Sequence, residues 1–467
     1  DETAFRTLMD QQKARAKADA KAKKGNLQDA ESYRELRDRG ETPFVGYSEL
    51  TVPTRVRGLV ADGHVVDHLR AGQLGEVVLE ETPFYAEMGG QDADAGVLRS
   101  DAGEFEVIDV QRPVPGLVVH TVRAGGELRP GDEVQAMVDA VHRQGACQAH
   151  SATHIIHAAL RELVGPTATQ AGSYNKPGYL RFDFNSSHGL SAALKAEIEA
   201  RCNAAIRDDL EVSATQMPLA QAKGMGAMAM FGEKYPDIVR VVEMGGPWSR
   251  ELCAGTHVLH ASQIGMLNLL GEQSVGAGTR RVEALVSTDA FEHMAAERAL
   301  VNQLTGTLKV RPDQLTDRVG ALIEELKVAQ KQIAELKAAQ LLAGAPQLVS
   351  DAKDMWGVSF ASKRYHDVDA GALRTLAGQV RDQFGDRSAV VALVGGSATK
   401  PALVVATTRA ARDRGLNAGA LVREGAGVLG GNGGGKPDLA QGGGTDAGKA
   451  DEALRTVEYA IGHVVQG

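Results

Sequence analysis

Two pairs of potential metal ligands stand out in this chain: His150 with His154 and, far downstream, Cys253 with His257. Each pair has four-residue spacing, which on a helix puts both side chains on one face, roughly 5–6 Å apart. Three imidazoles and one thiolate suit a single tetrahedral Zn²⁺. Ser151 stands where the zincin pattern needs a general-base Glu, which argues strongly against a metalloprotease. A free Cys is usually a small buried hydrophobe. Four residues from a His in a glycine-containing stretch, Cys253 is better explained as a thiolate ligand. Cys147 and His157 lie three residues outside the first pair and reach the same face; both rank below the four-residue set, and Cys147 is expected to be structural. A zinc ion with an open position lowers the pKa of bound water to about 7 or polarises a carbonyl. The chemistry expected is therefore ester hydrolysis by a metal-bound water. With all four ligands bound, the ion would instead organise the pocket or bind substrate by ligand exchange.

A second feature is the tract Gly425–Gly444, which contains Gly433, Gly434, Gly435, Lys436, Asp438 and Gln441. Glycines let a backbone approach a sugar-phosphate chain closely, and Lys436 adds a point charge. No Gly-Lys-Ser/Thr follows, so the tract is not a P-loop. A flexible linker is the competing reading; the specific run Lys436-Pro-Asp-Leu-Ala-Gln441 counts against it.

These residues need a multidomain scaffold, since 467 residues exceed what one core organises. A hydrophobic content of 43% is globular, and no apolar run approaches the ~20 residues of a membrane helix. The sparse, odd set of Cys147, Cys202 and Cys253 argues for a reducing cytoplasm and against a disulfide framework. A net charge of −9 speaks against non-specific coating of nucleic acid, so any such contact is local. Asp1 opens a charged, helix-prone stretch rather than a signal peptide, and the missing initiator Met predicts a piece of a longer chain.

The pattern predicts an α+β chain in five parts. Residues 1–40 are a helical segment from about residue 4, interrupted near Gly25, with the Lys-rich run Lys13–Lys24 as a solvated face. Residues 41–142 hold short strands at Thr54–Val60, Gly75–Leu79, Phe105–Val110 and Gly116–Val122, the texture of a small β-barrel or sandwich, with Thr82–Gln91 as an inter-strand loop. Residues 143–286 alternate: a helix over Ala146–Leu163, an extended Leu180–Phe184, a helix over Leu190–Asp208, then strands at Ile238–Met244 and Val282–Leu285. Residues 287–346 form a helical arm whose heptad seam, that of a coiled coil or an antiparallel helical hairpin, runs through Leu315, Val319, Leu322, Leu326, Ala329, Ile333 and Leu336. Residues 347–467 make a small α/β domain, with buried strands at Ala389–Val394 and Ala402–Thr407 and helices at Ala370–Phe384 and Asp451–Ile461.

His150-Ser-Ala-Thr-His154 with Ala158-Ala-Leu-Arg161, then Leu180-Arg-Phe-Asp-Phe184, then Cys253-Ala-Gly-Thr-His257, in that order, resembles the editing domain of the alanyl-tRNA synthetase family. Thr82–Gln91 with Asp94-Ala-Gly96 is similar to that family's β-barrel signature, and Gly433–Gly444 to its C-terminal tRNA-binding domain. The likeness runs from about residue 40 to the end. Ala254 departs from the family's usual glycine, and no class II aminoacylation motif is seen. The resemblance implies hydrolysis of mischarged Ser-tRNA(Ala) and Gly-tRNA(Ala), because a pocket for Ala excludes neither residue strongly. It implies zinc on His150, His154, Cys253 and His257, Thr153 facing the pocket, and Gln170 handling the mischarged amino acid. It further implies tRNA contact through Gly433, Gly434, Gly435, Lys436, Asp438 and Gln441, and a homodimer through the arm or the terminal domain. The alternatives are a non-catalytic tRNA-binding and dimerisation module with a structural zinc, or a free-standing trans-editing protein.

Overall fold

The computed structural model describes residues 27–229 and 235–466. The expected helix over residues 4–26, with its Lys-rich run, lies outside them. The chain divides into two compact units, Asp1–Gln303 and Leu304–Gly467.

In the first unit, helix α1 (Leu27–Asp38) precedes seven antiparallel strands: β1 (Thr51–Ala61), β2 (His64–Val66), β3 (Leu74–Leu79), β4 (Gly96–Ser100), β5 (Gly103–Gln111), β6 (Val119–Ala124) and β7 (Glu133–Val138). The ladder runs β1-β3-β6-β5-β4-β7, and β7 pairs back onto β1, closing a six-stranded barrel with β2 appended. Closure removes the exposed edges of an open sheet. Alternation drives it: along β1, Val52, Thr54 and Val56 face inward while their neighbours face out. Val56, Leu59, Leu98, Phe105 and Val122 fill the interior. Leu36 of α1 seats on β1 at Gly58, where an added Cβ would sit 2.3 Å from its Cδ2.

The barrel delivers the chain to helix α2 (Ala140–Leu163), capped by Asp139, whose carboxylate accepts from the Val141 and His142 amides. The helix begins earlier than the pattern predicts. Three further elements follow: β8 (Gln170–Lys176), β9 (Tyr179–Asn185) and α3 (Ala192–Arg207). After these, β10 (Val212–Pro218), α4 (Leu219–Gly224), β11 (Ile238–Met244) and β12 (Ser249–Leu252) build a three-stranded sheet ordered β10-β11-β12. The hairpin β13 (Leu267–Gly276) and β14 (Thr279–Val286) completes a four-stranded sheet ordered β13-β14-β9-β8. Ile155 and Ile156 of α2 and Ile198 of α3 pack on Leu180, Phe182, Phe184 and Val282 in one core. Helix α5 (Ser287–Leu308) leaves this sheet.

In the second unit, α6 (Leu315–Ala343) is a long helix with no buried residue. Val319, Leu326, Ile333 and Leu336 of its heptad seam are exposed. After α7 (Ala345–Ser350) come β15 (Lys353–Met355), β16 (Val358–Arg364), α8 (Ala370–Gln383), β17 (Ala389–Ser397), β18 (Lys400–Thr407), α9 (Arg409–Asp413), α10 (Ala418–Val428), β19 (Asn432–Gly435), β20 (Leu439–Gly443) and α11 (Ala450–Gln466). The six strands order as β15-β16-β17-β18-β20-β19, with only β16 and β17 parallel. Helices cover both faces: α10 and α11 lie on Val390, Ala392 and Leu403, and α8 lies on Val391, Leu393 and Val404. Burial on both sides explains why β17 reads as a continuous apolar run.

The glycine-rich tract is therefore no linker. Its start, Gly425–Val428, is the end of α10, and its remainder is the β19–β20 hairpin. A Cβ on Gly433 would lie 3.0 Å from Val422 of α10, and one on Gly442 would lie 2.7 Å from Ala426. Packing of a helix against the hairpin accounts for these glycines. Around Gly434 the space is open. Asp438 faces Arg381 at 3.4 Å, and the side-chain oxygen Oε1 of Gln441 accepts from Arg374 at 3.2 Å.

Candidate metal centre

Helix α2 holds His150 and His154 one turn apart, each about 95% buried. The second pair sits differently from a helical reading: Cys253–His257 is a loop that follows β12 and folds back over α2. The four groups converge, their ligand atoms all within 4.8 Å of one another, and they are the only such cluster among the described residues. Cys253 Sγ lies 3.5 Å from His150 Nε2 and 3.3 Å from His257 Nε2.

Each ring has a polar neighbour at its other nitrogen. His150 Nδ1 meets the side-chain oxygen of Gln91 at 2.7 Å. His257 Nδ1 meets Ser151 Oγ at 3.2 Å. His154 Nδ1 lies 3.3 Å from Glu251, though off the line of a hydrogen bond. Such outer partners fix tautomer and orientation in metal sites. Gln91 is fully buried and also accepts from the Thr256 amide at 2.9 Å while donating to its hydroxyl at 2.8 Å. The barrel loop thus clamps both halves of the cluster. That loop turns at Gly89 and Gly90, with φ of +61° and +83°, a region disfavoured for other residues. Gly255 serves by having no side chain: a Cβ there would lie 2.0 Å from His150 Cε1. Arg240 of β11 donates to the carbonyls of Cys253 and Gly255, both at 3.0 Å, and stacks on Tyr47, whose hydroxyl donates to the Ala254 carbonyl at 2.7 Å.

The charges answer one another. Burial pushes the Cys253 thiol up, yet the three imidazoles overcome it and hold the thiol well below its ordinary value. Burial depresses His154, but Glu251 and Cys253 reverse this and raise it to about 10. Burial dominates at His257, which falls to about 3. Burial also pushes Glu251 up, and His154 and His157 outweigh it to hold the carboxyl well below the usual range. A thiolate buried among imidazoles demands a positive charge. A divalent cation held by these residues would meet that demand, with His154 giving up its proton to bind it. The soft sulfur and three imidazoles fit zinc.

Beside the cluster opens a cavity of about 840 Å³. Its wall includes His150, His154, Cys253, Thr153 and Gln170. Thr153 Oγ1 donates to the Ala149 carbonyl, and Gln170 Nε2 donates to Ser173 Oγ at 3.0 Å.

Family models describe three stretches of the chain: "tRNA synthetases class II (A)" over residues 1–142, "Threonyl and Alanyl tRNA synthetase second additional domain" over residues 239–283, and "DHHA1 domain" over residues 357–463. The alanine–tRNA ligase of Cutibacterium acnes is 60% identical over 457 residues, covering 98% of this chain and 51% of the ligase. The ligase of Paenarthrobacter aurescens is 53% identical over 463 residues, covering 99% and 52%. The chain belongs to the alanyl-tRNA synthetase family. It spans about half the length of the curated relatives it matches. A crystal structure of the C-Ala domain from Aquifex aeolicus alanyl-tRNA synthetase aligns with 28% identity and a TM-score of 0.23, over 25% of this chain and 99% of that one.

Within this family frame, the likeness begins at residue 1, ahead of the residue-40 boundary read from motifs, because the class II model already covers the first segment. The four expected ligands are brought together. Cys147 is buried outside the cluster, its thiol raised by burial and facing Thr256, and His157 is likewise outside the ligand set. Sequence reasoning missed Gln91, Glu251, Thr256 and Arg240. Gln91 carried a signal, since it ends the one barrel loop with a family signature; Glu251 carried only its position two residues before Cys253.

Proposed function

We infer that this chain is the post-transfer editing part of an alanyl-tRNA synthetase, hydrolysing the ester of Ser-tRNA(Ala) and Gly-tRNA(Ala). The observation carrying this reading is the convergence of His150, His154, Cys253 and His257 beside a cavity of about 840 Å³. When bound by these four residues, zinc supplies Lewis-acid chemistry toward the ester.

The chain's own residues do the rest. Gln91, Ser151 and Glu251 orient the imidazoles, and Arg240 holds the Cys253 loop in the cavity wall. Thr153 and Gln170 face the aminoacyl group from the wall. The open side at Gly434, with Lys436, gives the terminal unit a local contact for the tRNA backbone despite the acidic whole. The exposed seam of α6 supports a homodimer. In these terms the barrel, the editing core, the helical arm and the terminal α/β part divide the work, and the setting is the cytoplasm.

The test is release of serine from purified Ser-tRNA(Ala). The wild-type chain is expected to accelerate it, and a His150→Ala, His154→Ala variant is expected to return it to the spontaneous rate. Equal rates for the two proteins would refute the deacylase.

A further inference from the structure

Tyr47, in the loop before β1, lines the cavity and is 48% exposed, although three contacts fix its ring. Its hydroxyl donates to the Ala254 carbonyl at 2.7 Å, one residue from Cys253. The Arg240 guanidinium sits over the ring, 4.3 Å from its centroid, and Phe44 meets it edge to face at 4.9 Å. Bracing the metal loop thus uses the hydroxyl and one ring face, and it leaves about half of the residue uncovered. Arg112, just past β5, is exposed and has no ion-pair partner among the described residues. Its neighbour Gln111 donates to Glu87 at 2.8 Å, in the barrel loop whose Met88 and Gly89 also line the cavity. Burial raises the Tyr47 phenol, and the charges of Arg240 and Arg112 pull against it.

A fixed, exposed aromatic ring and an unpaired guanidinium beside one cavity suit a single-stranded nucleic acid: the ring takes a base, the cation a phosphate. In a chain of net charge −9, attraction for phosphate has to be local in this way. We propose that Tyr47 and Arg112 clamp the unpaired 3′ end of a tRNA, the ring stacking on the terminal nucleobase and the guanidinium meeting an adjacent phosphate. The tRNA is the RNA named by the deacylase reading, on which this inference rests. Stacking tolerates any base, because every base has a π-face, so the clamp positions the end and does not select the tRNA. A base stacked on a ring tied to Ala254 brings the terminal ester toward the Cys253 loop.

Three variants separate ring, tether and cation. Tyr47→Phe keeps the ring and removes the hydroxyl bond; Tyr47→Leu keeps an apolar side chain and removes the ring; Arg112→Ala removes the cation. The probe is uncharged tRNA(Ala) with 2-aminopurine as its 3′-terminal base, whose fluorescence falls on stacking. It is titrated with the full chain across a salt series, and zinc per chain is measured alongside. Wild type and Y47F are expected to quench the probe. Y47L is expected to lose the quenching and to bind roughly five- to hundred-fold more weakly, the scale of one base–aromatic stack, with zinc unchanged. R112A is expected to quench and to lower the slope of log affinity against log salt by about 0.7. Quenching by Y47L equal to that of wild type, or its loss in step with zinc, overturns the stack; an unchanged slope in R112A overturns the phosphate contact. A wild type that quenches but releases no serine from Ser-tRNA(Ala) removes the deacylase reading and leaves the clamp. One that releases serine without quenching removes the clamp alone.

Discussion

At the scale of single residues, the candidate site depends as much on orienting groups as on ligands. The pairing of His150 with His154 was legible because a helix repeats its face every four residues. Cys253 and His257 were legible by residue type, although they occupy a loop and so owe their convergence to tertiary folding rather than to helical spacing. Gln91 was not legible as a partner of His150: the sequence separation is 59 residues, and no local pattern spans it. Its amide is nonetheless the shared anchor of His150 and Thr256. Gln91→Ala is expected to lower zinc affinity about 10- to 100-fold, the usual effect of losing such an outer partner. Competition with a chromogenic chelator measures it, and an unchanged affinity would contradict the anchoring role.

At the scale of elements, barrel and helix are interlocked by a buried ion pair. Arg143 of α2 donates to Asp94 of the barrel loop and to the carbonyls of Gly46 and Pro83 at 2.5 and 2.7 Å. Removing one member of such a pair leaves an uncompensated buried charge. The loop that ends in Gln91 starts at another buried polar contact, between Thr82 Oγ1 and His120 Nε2 at 2.7 Å. His120 lies inside the barrel and is lowered to about 4 by burial, against the opposing pull of the Val77 carbonyl. Its folded pKa is below its unfolded value, so protons favour the unfolded chain. The stabilisation is complete above the unfolded pKa of about 6.5 and is lost as pH falls through about 4, roughly 3 kcal/mol in all. Urea unfolding at the two ends of that window should show this loss in wild type and a smaller one in His120→Gln; equal losses would contradict it. The strands of this barrel were legible from their alternation, but its closure through β1 and β7 was not, since pairing of first and last strands leaves no local trace.

At the scale of the whole molecule, composition predicted several cores, and the structure has two compact units, each with its own sheets. The glycine tract shows where sequence reading ran short. Glycine signals close approach without saying to what, and in this fold much of the approach is between α10 and the β19–β20 hairpin. Lys436 remains available in the following turn. Lys436→Ala is expected to weaken tRNA(Ala) binding and to reduce the slope of log affinity against log salt by about 1. Filter binding across a salt series checks it, and an unchanged slope places the contact elsewhere. The heptad run was legible as one long helix, α6, with its seam exposed; its pairing with a second helix is the proposal. Ile333→Glu with Leu336→Glu is expected to convert a dimer to monomer in sedimentation velocity, whereas a wild-type chain already monomeric at micromolar concentration would remove that role. The zinc proposal itself concerns four side chains from two distant segments converging on one ion. X-ray absorption at the zinc edge, on the purified chain after metal quantification, tests it most directly. The expected result is one zinc per chain with one sulfur at about 2.3 Å and nitrogens at about 2.0–2.1 Å. A chain that binds no stoichiometric zinc, or holds it without sulfur, would contradict the account.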